Sequence, residues 1–224
     1  MKTPDDLRAR ITADLRPVRP LLTPWQRALL IAPAAALAWA AAPGVLGLRG
    51  DLDTVGPWLA WGGSILQLGV ALALIAAALR EAVPAGAWPR STTRALLAAG
   101  VLCTVAFALA TSAASPPEPG AHQDTLRAWW GCWEGAVLAG APLVLLLIVL
   151  IARGLPMRPG LAGGLAGLGA GAAVDGGWRL YCNYSSPIHV VSSHGGAVLA
   201  LAVAGAIAGV TVGRLRQIFR QEDR

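Results

Sequence analysis

Six long stretches of nearly uninterrupted alanine, leucine, valine and glycine run through the chain, at roughly 28–48, 58–79, 95–114, 131–152, 159–175 and 188–212. About 20 apolar residues in helical form cross a hydrocarbon layer. A chain inside that layer must satisfy its backbone polar groups internally. The expected fold class is therefore all-α, a polytopic membrane protein with six transmembrane helices. Only 13% of the 224 residues are charged, about half the usual share for a soluble domain. The fifth stretch is the shortest and the richest in glycine. No cleavable signal peptide is expected, because Asp5, Asp6 and Asp14 precede the first apolar run.

The bases set the expected orientation, because Lys and Arg collect on the cytoplasmic side of a membrane. One side takes the N-tail (Lys2, Arg8, Arg10, Arg16, Arg19, Arg27), the second loop (Arg80, Arg90, Arg94), the fourth loop (Arg153, Arg158) and the C-tail (Arg214, Arg216, Arg220, Arg224). The other side takes only Arg49, Arg127 and Arg179, with the acids Asp51, Asp53, Glu118, Asp124, Glu134 and Asp175. Both termini are thus expected in the cytoplasm. The net charge of +6 follows this topology and is no nucleic-acid footprint. Trp58, Trp61, Trp129, Trp130, Trp133 and Trp178 read as an aromatic belt at the outer boundary, and Trp25 and Trp88 at the inner one. The expected organisation is a cytoplasmic tail (1–27), a six-helix transmembrane domain (28–213) and a short basic cytoplasmic tail (214–224).

The N-tail carries its own signal. Thr3 is placed as an N-cap, Pro4 as the first helical residue, and Asp5 and Asp6 at the positive end of the helix dipole. Leu7, Ile11 and Leu15 follow at a spacing of four and form one apolar stripe, and Pro17 ends the helix. A helix of about 12 residues is marginal alone in water, so it needs a surface to fold against. Two surfaces suit it: a cytosolic protein, or the membrane lipid itself, helped by Arg8, Arg10, Arg16 and Arg19.

Spans five and six carry packing signals. Gly163, Gly167 and Gly171 repeat every four residues, as do Gly205, Gly209 and Gly213. Small residues at that spacing let helix backbones approach closely. They predict a tight pair of helices, or equally a homo-oligomeric contact.

Between those two spans lies the one strongly polar stretch. From Arg179 to Gly195 there are a thiol (Cys182), two imidazoles (His189, His194), two phenols (Tyr181, Tyr184) and four hydroxyls (Ser185, Ser186, Ser192, Ser193). Polar groups placed between membrane spans mark a functional site. Ser186-Pro187 reads as the cap and first residue of the last helix, with His189 about one turn and His194 about two turns inside it. Cys132 and Glu134 open the fourth span and face the same compartment as Cys182 and His122. Three readings of Cys132 and Cys182 stand side by side: a stable or redox-active disulfide, thiolate ligands of a soft metal ion completed by His189, His194 or Glu134, or unrelated small buried residues. His194 also reads as a hydrogen-bonded intramembrane histidine, Glu134 as an acid reaching back to water, and Cys103 as a packing residue. No cofactor is certain; a soft transition-metal ion is the one candidate, as a signal.

No phosphate-binding glycine loop, no file of acids through the bilayer centre and no nucleophile–base arrangement is present, so an enzyme is not expected.

The chain resembles the NrsF family, membrane-bound negative regulators of an ECF-type sigma factor, sigma-F. The resemblance lies in the tail from Met1-Lys2-Thr3-Pro4-Asp5-Asp6-Leu7 to Arg16-Pro17-Val18-Arg19-Pro20-Leu21, in Gly131-Cys132-Trp133-Glu134, and in Cys182-Asn183-Tyr184-Ser185-Ser186-Pro187-Ile188-His189-Val190 with His194-Gly195. It covers essentially the whole chain. It implies an anti-sigma factor of the bacterial inner membrane, whose cytoplasmic tail holds the sigma factor away from RNA polymerase. The contact residues would be Asp6, Leu7, Ile11 and Leu15. It further implies that the periplasmic cysteines, here Cys132 and Cys182, sense heavy metal or oxidative stress. A membrane thiol-redox or metal-handling protein using the same outer-face groups is the alternative.

Overall fold

The computed structural model describes residues 4–14, 22–84, 88–114 and 126–222, and every regular element among them is helical. Helix α1 (Pro4–Asp14) starts at the expected proline. Asp6 is exposed on it; the side chains of Leu7 and Ile11, and the whole of Thr3, Leu15 and Pro17, lie outside the described residues. Helix α2 (Pro24–Leu46) opens with a capping box, in which Thr23 Oγ1 accepts from Gln26 N at 3.3 Å and Thr23 N donates to Gln26 Oε1 at 3.0 Å. The short α3 (Leu52–Val55) and a π-helical turn over Trp58–Gly62 lead into α4 (Gly63–Glu81). Then follow α5 (Arg90–Ala114), α6 (Leu126–Ala152) and α7 (Pro159–Tyr181). The last run comprises α8 (Pro187–His189), a π-helical segment (Val190–Gly195) and α9 (Gly196–Glu222). Ser186 caps it, its Oγ accepting from His189 N at 3.2 Å.

Among the described residues, five helices are long and apolar enough to cross a membrane: Pro24–Leu46, Trp58–Glu81, Arg90–Ala114, Leu126–Ala152 and Pro187–Ile218. They turn large apolar side chains outward, among them Leu30, Leu37, Leu102, Leu138, Leu145 and Leu199, as a lipid solvent requires. Helix α7 has 23 residues and is built differently. It packs against α9, α4, α2 and α6 and is buried almost without a break from Ala162 to Leu180. A helix enclosed by other helices has little surface to offer lipid, and small residues serve it better than leucine. The glycine content that weakens the fifth stretch as a span thus belongs to the central helix of the bundle.

Glycine makes the α7–α9 contact close. A Cβ on Gly163 would run into the Gly205 carbonyl oxygen, and a Cβ on Gly205 into that of Gly163. Gly167 lies in the same way against the Leu201 carbonyl, Gly171 against Val198, and Gly209 against the Pro159 carbonyl. Farther along α7, Gly177 lies against the Trp39 carbonyl of α2.

Two expectations are corrected here. The fifth helix does not end at residue 175 but continues to Tyr181, so the connecting loop shrinks to 182–186. The pair Gly176-Gly177 within that extension is a point of close contact with Trp39 of α2. Trp178 is accordingly no belt residue. It is buried, its ring occupying the space that the missing side chain of Gly135 leaves on α6.

The ends of the bundle are tied by specific polar contacts. At one end Arg158 donates to both oxygens of buried Glu81, at 2.8 and 2.6 Å. At the same end Arg27 donates to Leu150 O at 2.7 Å and Arg216 to Gly154 O at 2.5 Å. The other end is organised around Cys182.

Candidate functional site

Cys132 lies on the second turn of α6 and Cys182 just past the end of α7. His189 closes α8, and His194 lies in the π-helical segment that follows. The wide turn of that segment changes which side chains face inward, a common device at functional sites. Ser193 Oγ ties it to Trp129 O of α6 at 3.0 Å.

These four residues meet in one buried cluster. The two sulfurs are 3.6 Å apart, and His189 Nε2 is 3.7 Å from Cys182 Sγ. One ligand atom from each of Cys132, Cys182, His189 and His194 lies within 4.8 Å of the others. The hydrogen bond with Cys132, and then burial, push the Cys182 thiol above the ordinary range. Cavities flank the cluster. One of about 420 Å³ is lined by Cys132, Arg127, Tyr181 and Tyr184 among others. Another of about 380 Å³ is lined by His189, Trp129 and Ser192.

A second layer of polar groups holds the cluster, and it was not expected from the sequence. Asp175 Oδ1 lies 2.9 Å from His194 Nδ1. Its Oδ2 accepts from Gln67 Nε2 of α4 at 2.6 Å and from Arg179 Nε at 3.1 Å. All four residues are buried. A carboxylate only accepts, so His194 Nδ1 carries the proton and donates it. With the ring neutral, Nε2 is then the bare lone pair; it is buried with no hydrogen-bond partner. Asp175 had been counted among the loop acids of the outer side. The clue to its role was Arg179, four residues on in an otherwise apolar run.

Arg49 ties the loop after α2 to this site. It is buried, and its Nε and Nη2 donate to Asp51 at 2.6 and 2.8 Å. Its Nη2 also reaches Ser185 Oγ at 2.8 Å and its Nη1 reaches Arg179 O at 3.3 Å. Arg49 N donates to Leu180 O at 2.8 Å, and Gly50 N to Asn183 Oδ1 at 3.1 Å. The short loop bearing Cys182 is therefore gripped by Arg49 and Gly50 of the loop that follows α2.

The other candidates lie elsewhere. Glu134 is exposed; two residues beyond Cys132, it points roughly 200° away around α6. Cys103 is half-buried on α5, and His122 lies outside the described residues.

No curated protein and no solved structure matches this chain. One family does: NrsF, described as negative regulator of sigma F, matches residues 11–214. That match runs from the end of α1 into the last turns of α9 and includes Cys132, Cys182, His189 and His194, and the chain belongs to the NrsF family of negative regulators of sigma F.

Proposed function

We propose that this protein is a membrane-bound anti-sigma factor that holds an ECF-type sigma factor through its cytosolic tail, residues 1–27. It releases the sigma factor when Cys132 and Cys182 meet heavy metal or an oxidant on the periplasmic face of the bacterial inner membrane. Six helices cross that membrane and both termini are cytoplasmic, in keeping with the distribution of Lys and Arg. The protein is a regulator and touches no nucleic acid itself.

One observation carries this reading. Helix α2 begins at Pro24, within the last residues of the tail, and three residues beyond its C-terminal Leu46 Arg49 grips the loop that holds Cys182. A change at the Cys182 loop therefore bears directly on the segment just beyond α2, the helix that leads back to the tail. The tail itself is a short helix that needs a partner to be stable.

The test is sigma-dependent transcription in cells exposed to cadmium, with Cys132→Ser and Cys182→Ser variants. The reading expects induction in wild type and none in either variant. Induction of wild-type size in both variants would remove the cysteines from sensing.

A second reading, a thiol-redox or metal-handling protein, draws on the cavities beside Cys132 and His189, which would let a small solute in and out. It leaves the tail without a task, so deleting residues 2–20 would have no transcriptional effect.

A further inference from the structure

We propose that Cys132, Cys182, His189 and His194 form one closed, four-ligand site for a divalent thiophilic d10 cation of the zinc and cadmium class. Asp175 is the positioning residue behind His194. The inference deepens the sensing role given above to Cys132 and Cys182, and rests on it only for the consequence of binding.

The ligand set comes first. Two thiols and two imidazoles make a Cys₂His₂ donor set, and such sets take four-coordinate tetrahedral metal. With metal–sulfur bonds of about 2.3 Å, the sulfur–sulfur edge of a tetrahedron is about 3.8 Å. The two sulfurs here are 3.6 Å apart, and Cys182 Sγ and His189 Nε2 are 3.7 Å apart. No pair of the four ligand atoms exceeds 4.8 Å, so closure on an ion needs a contraction of about 1 Å at the widest edge.

The second layer is the independent observation. A metal-bound histidine usually donates its other ring N–H to a carboxylate, which fixes the tautomer and aims the free nitrogen. His194 does this with Asp175 at 2.9 Å, and the Nε2 left over is buried without a partner. A buried polar atom with no partner needs a physical reason; a ligand atom awaiting a cation supplies one. His189 Nδ1 is also buried without a partner, so its ring can turn toward an ion without breaking a hydrogen bond there.

Charge selects the class of ion. Asp175 is already balanced by Arg179, and Arg49 by Asp51. Binding a divalent ion forms two metal–sulfur and two metal–nitrogen bonds and sends two thiol protons to solvent, with no electron transferred. The centre so formed is neutral, which a buried site requires. A monovalent copper ion would leave one negative charge there, and an oxyanion would meet two soft thiolates of its own sign. Two sulfurs favour soft borderline ions over magnesium or calcium.

The test uses reduced, full-length protein in detergent with Co²⁺ as the probe. One equivalent should give a thiolate-to-cobalt charge-transfer band with the intense d–d bands of tetrahedral cobalt, and one equivalent of Cd²⁺ should abolish them. His189→Ala should lose the tetrahedral spectrum; this variant removes the ring that lies 3.7 Å from Cys182 Sγ. Asp175→Asn should keep the tetrahedral bands and bind about 10- to 100-fold more weakly. Weak octahedral bands in wild type, or an unchanged spectrum and affinity in His189→Ala, would overturn the site. Sigma-factor retention is measured on the same preparations. Tetrahedral binding without release supports the site and defeats the signalling role. Cadmium-driven release that is unaltered in His189→Ala defeats the four-ligand site and leaves cysteine sensing standing.

Discussion

Arg49 and Ser185 are hydrogen-bonded at 2.8 Å although 136 residues separate them, and this contact joins the segment just beyond α2 to the loop that holds Cys182. The guanidinium also takes the Arg179 carbonyl and both oxygens of Asp51, so the junction is a planar fork with each branch occupied. An ammonium group cannot reproduce that geometry.

Arg49→Lys and Arg49→Gln should therefore uncouple the two ends. Metal binding should weaken by less than about tenfold, because Arg49 is hydrogen-bonded to the loop that holds Cys182 and not to a ligand atom, while cadmium-dependent release of the sigma factor falls by more than that, over roughly 1.4 kcal/mol of lost coupling. Cobalt titration and sigma retention on one preparation check this. A variant that still releases normally would show that the signal travels by another route.

The buried carboxylate makes a stability prediction. Asp175→Ala leaves Arg179 buried at 6% exposure with its only ion-pair partner among the described residues removed. Breaking a buried pair by removing one member costs about 3 kcal/mol or more. Thermal unfolding in detergent should register it as a clear fall in Tm. Exchanging both members, as Asp175→Leu with Arg179→Met, should recover much of the loss, because no unpaired charge then remains.

Glycine positions separate sharply. Gly163→Leu or Gly167→Leu puts a side chain where the opposing α9 carbonyl lies and should prevent the α7–α9 contact, with loss of monodisperse protein on size exclusion. Gly131→Ala meets open space at an exposed position of α6 and should stabilise by up to about 1 kcal/mol. Equal tolerance at both kinds of position would contradict the packing described here.

Much of this fold was legible in the sequence, for physical reasons that can be named. Apolar run length, the Ser186-Pro187 cap and the four-residue glycine spacing are local rules, and the helices follow them. The end of α7 was not legible, because Gly176-Gly177 has the same composition whether it breaks a helix or presses it against Trp39. That one boundary decided the fate of Asp175 and Trp178, read as loop acid and belt residue but found inside the bundle. The four ligand candidates could be placed on one side of the membrane from topology alone. Their convergence could not, since Cys132 and Cys182 are 50 residues apart and share no metal-binding spacing. The π-helical segment that turns His194 toward Asp175 left no sign in the residues themselves.

The tail makes its own prediction. Replacing Leu7, Ile11 and Leu15 together by Asp should free the sigma factor while the membrane domain remains folded, since the bundle core lies in α2, α4, α6, α7 and α9. Constitutive expression of the sigma-dependent genes, with unchanged membrane abundance, is the expected result.

The most direct measurement is a pull-down of cytosolic protein from unstressed cells, with full-length protein and with a version lacking residues 2–20. The account predicts a sigma factor recovered with the intact protein and absent with the truncated one. Equal recovery with both, or recovery with neither, would contradict it.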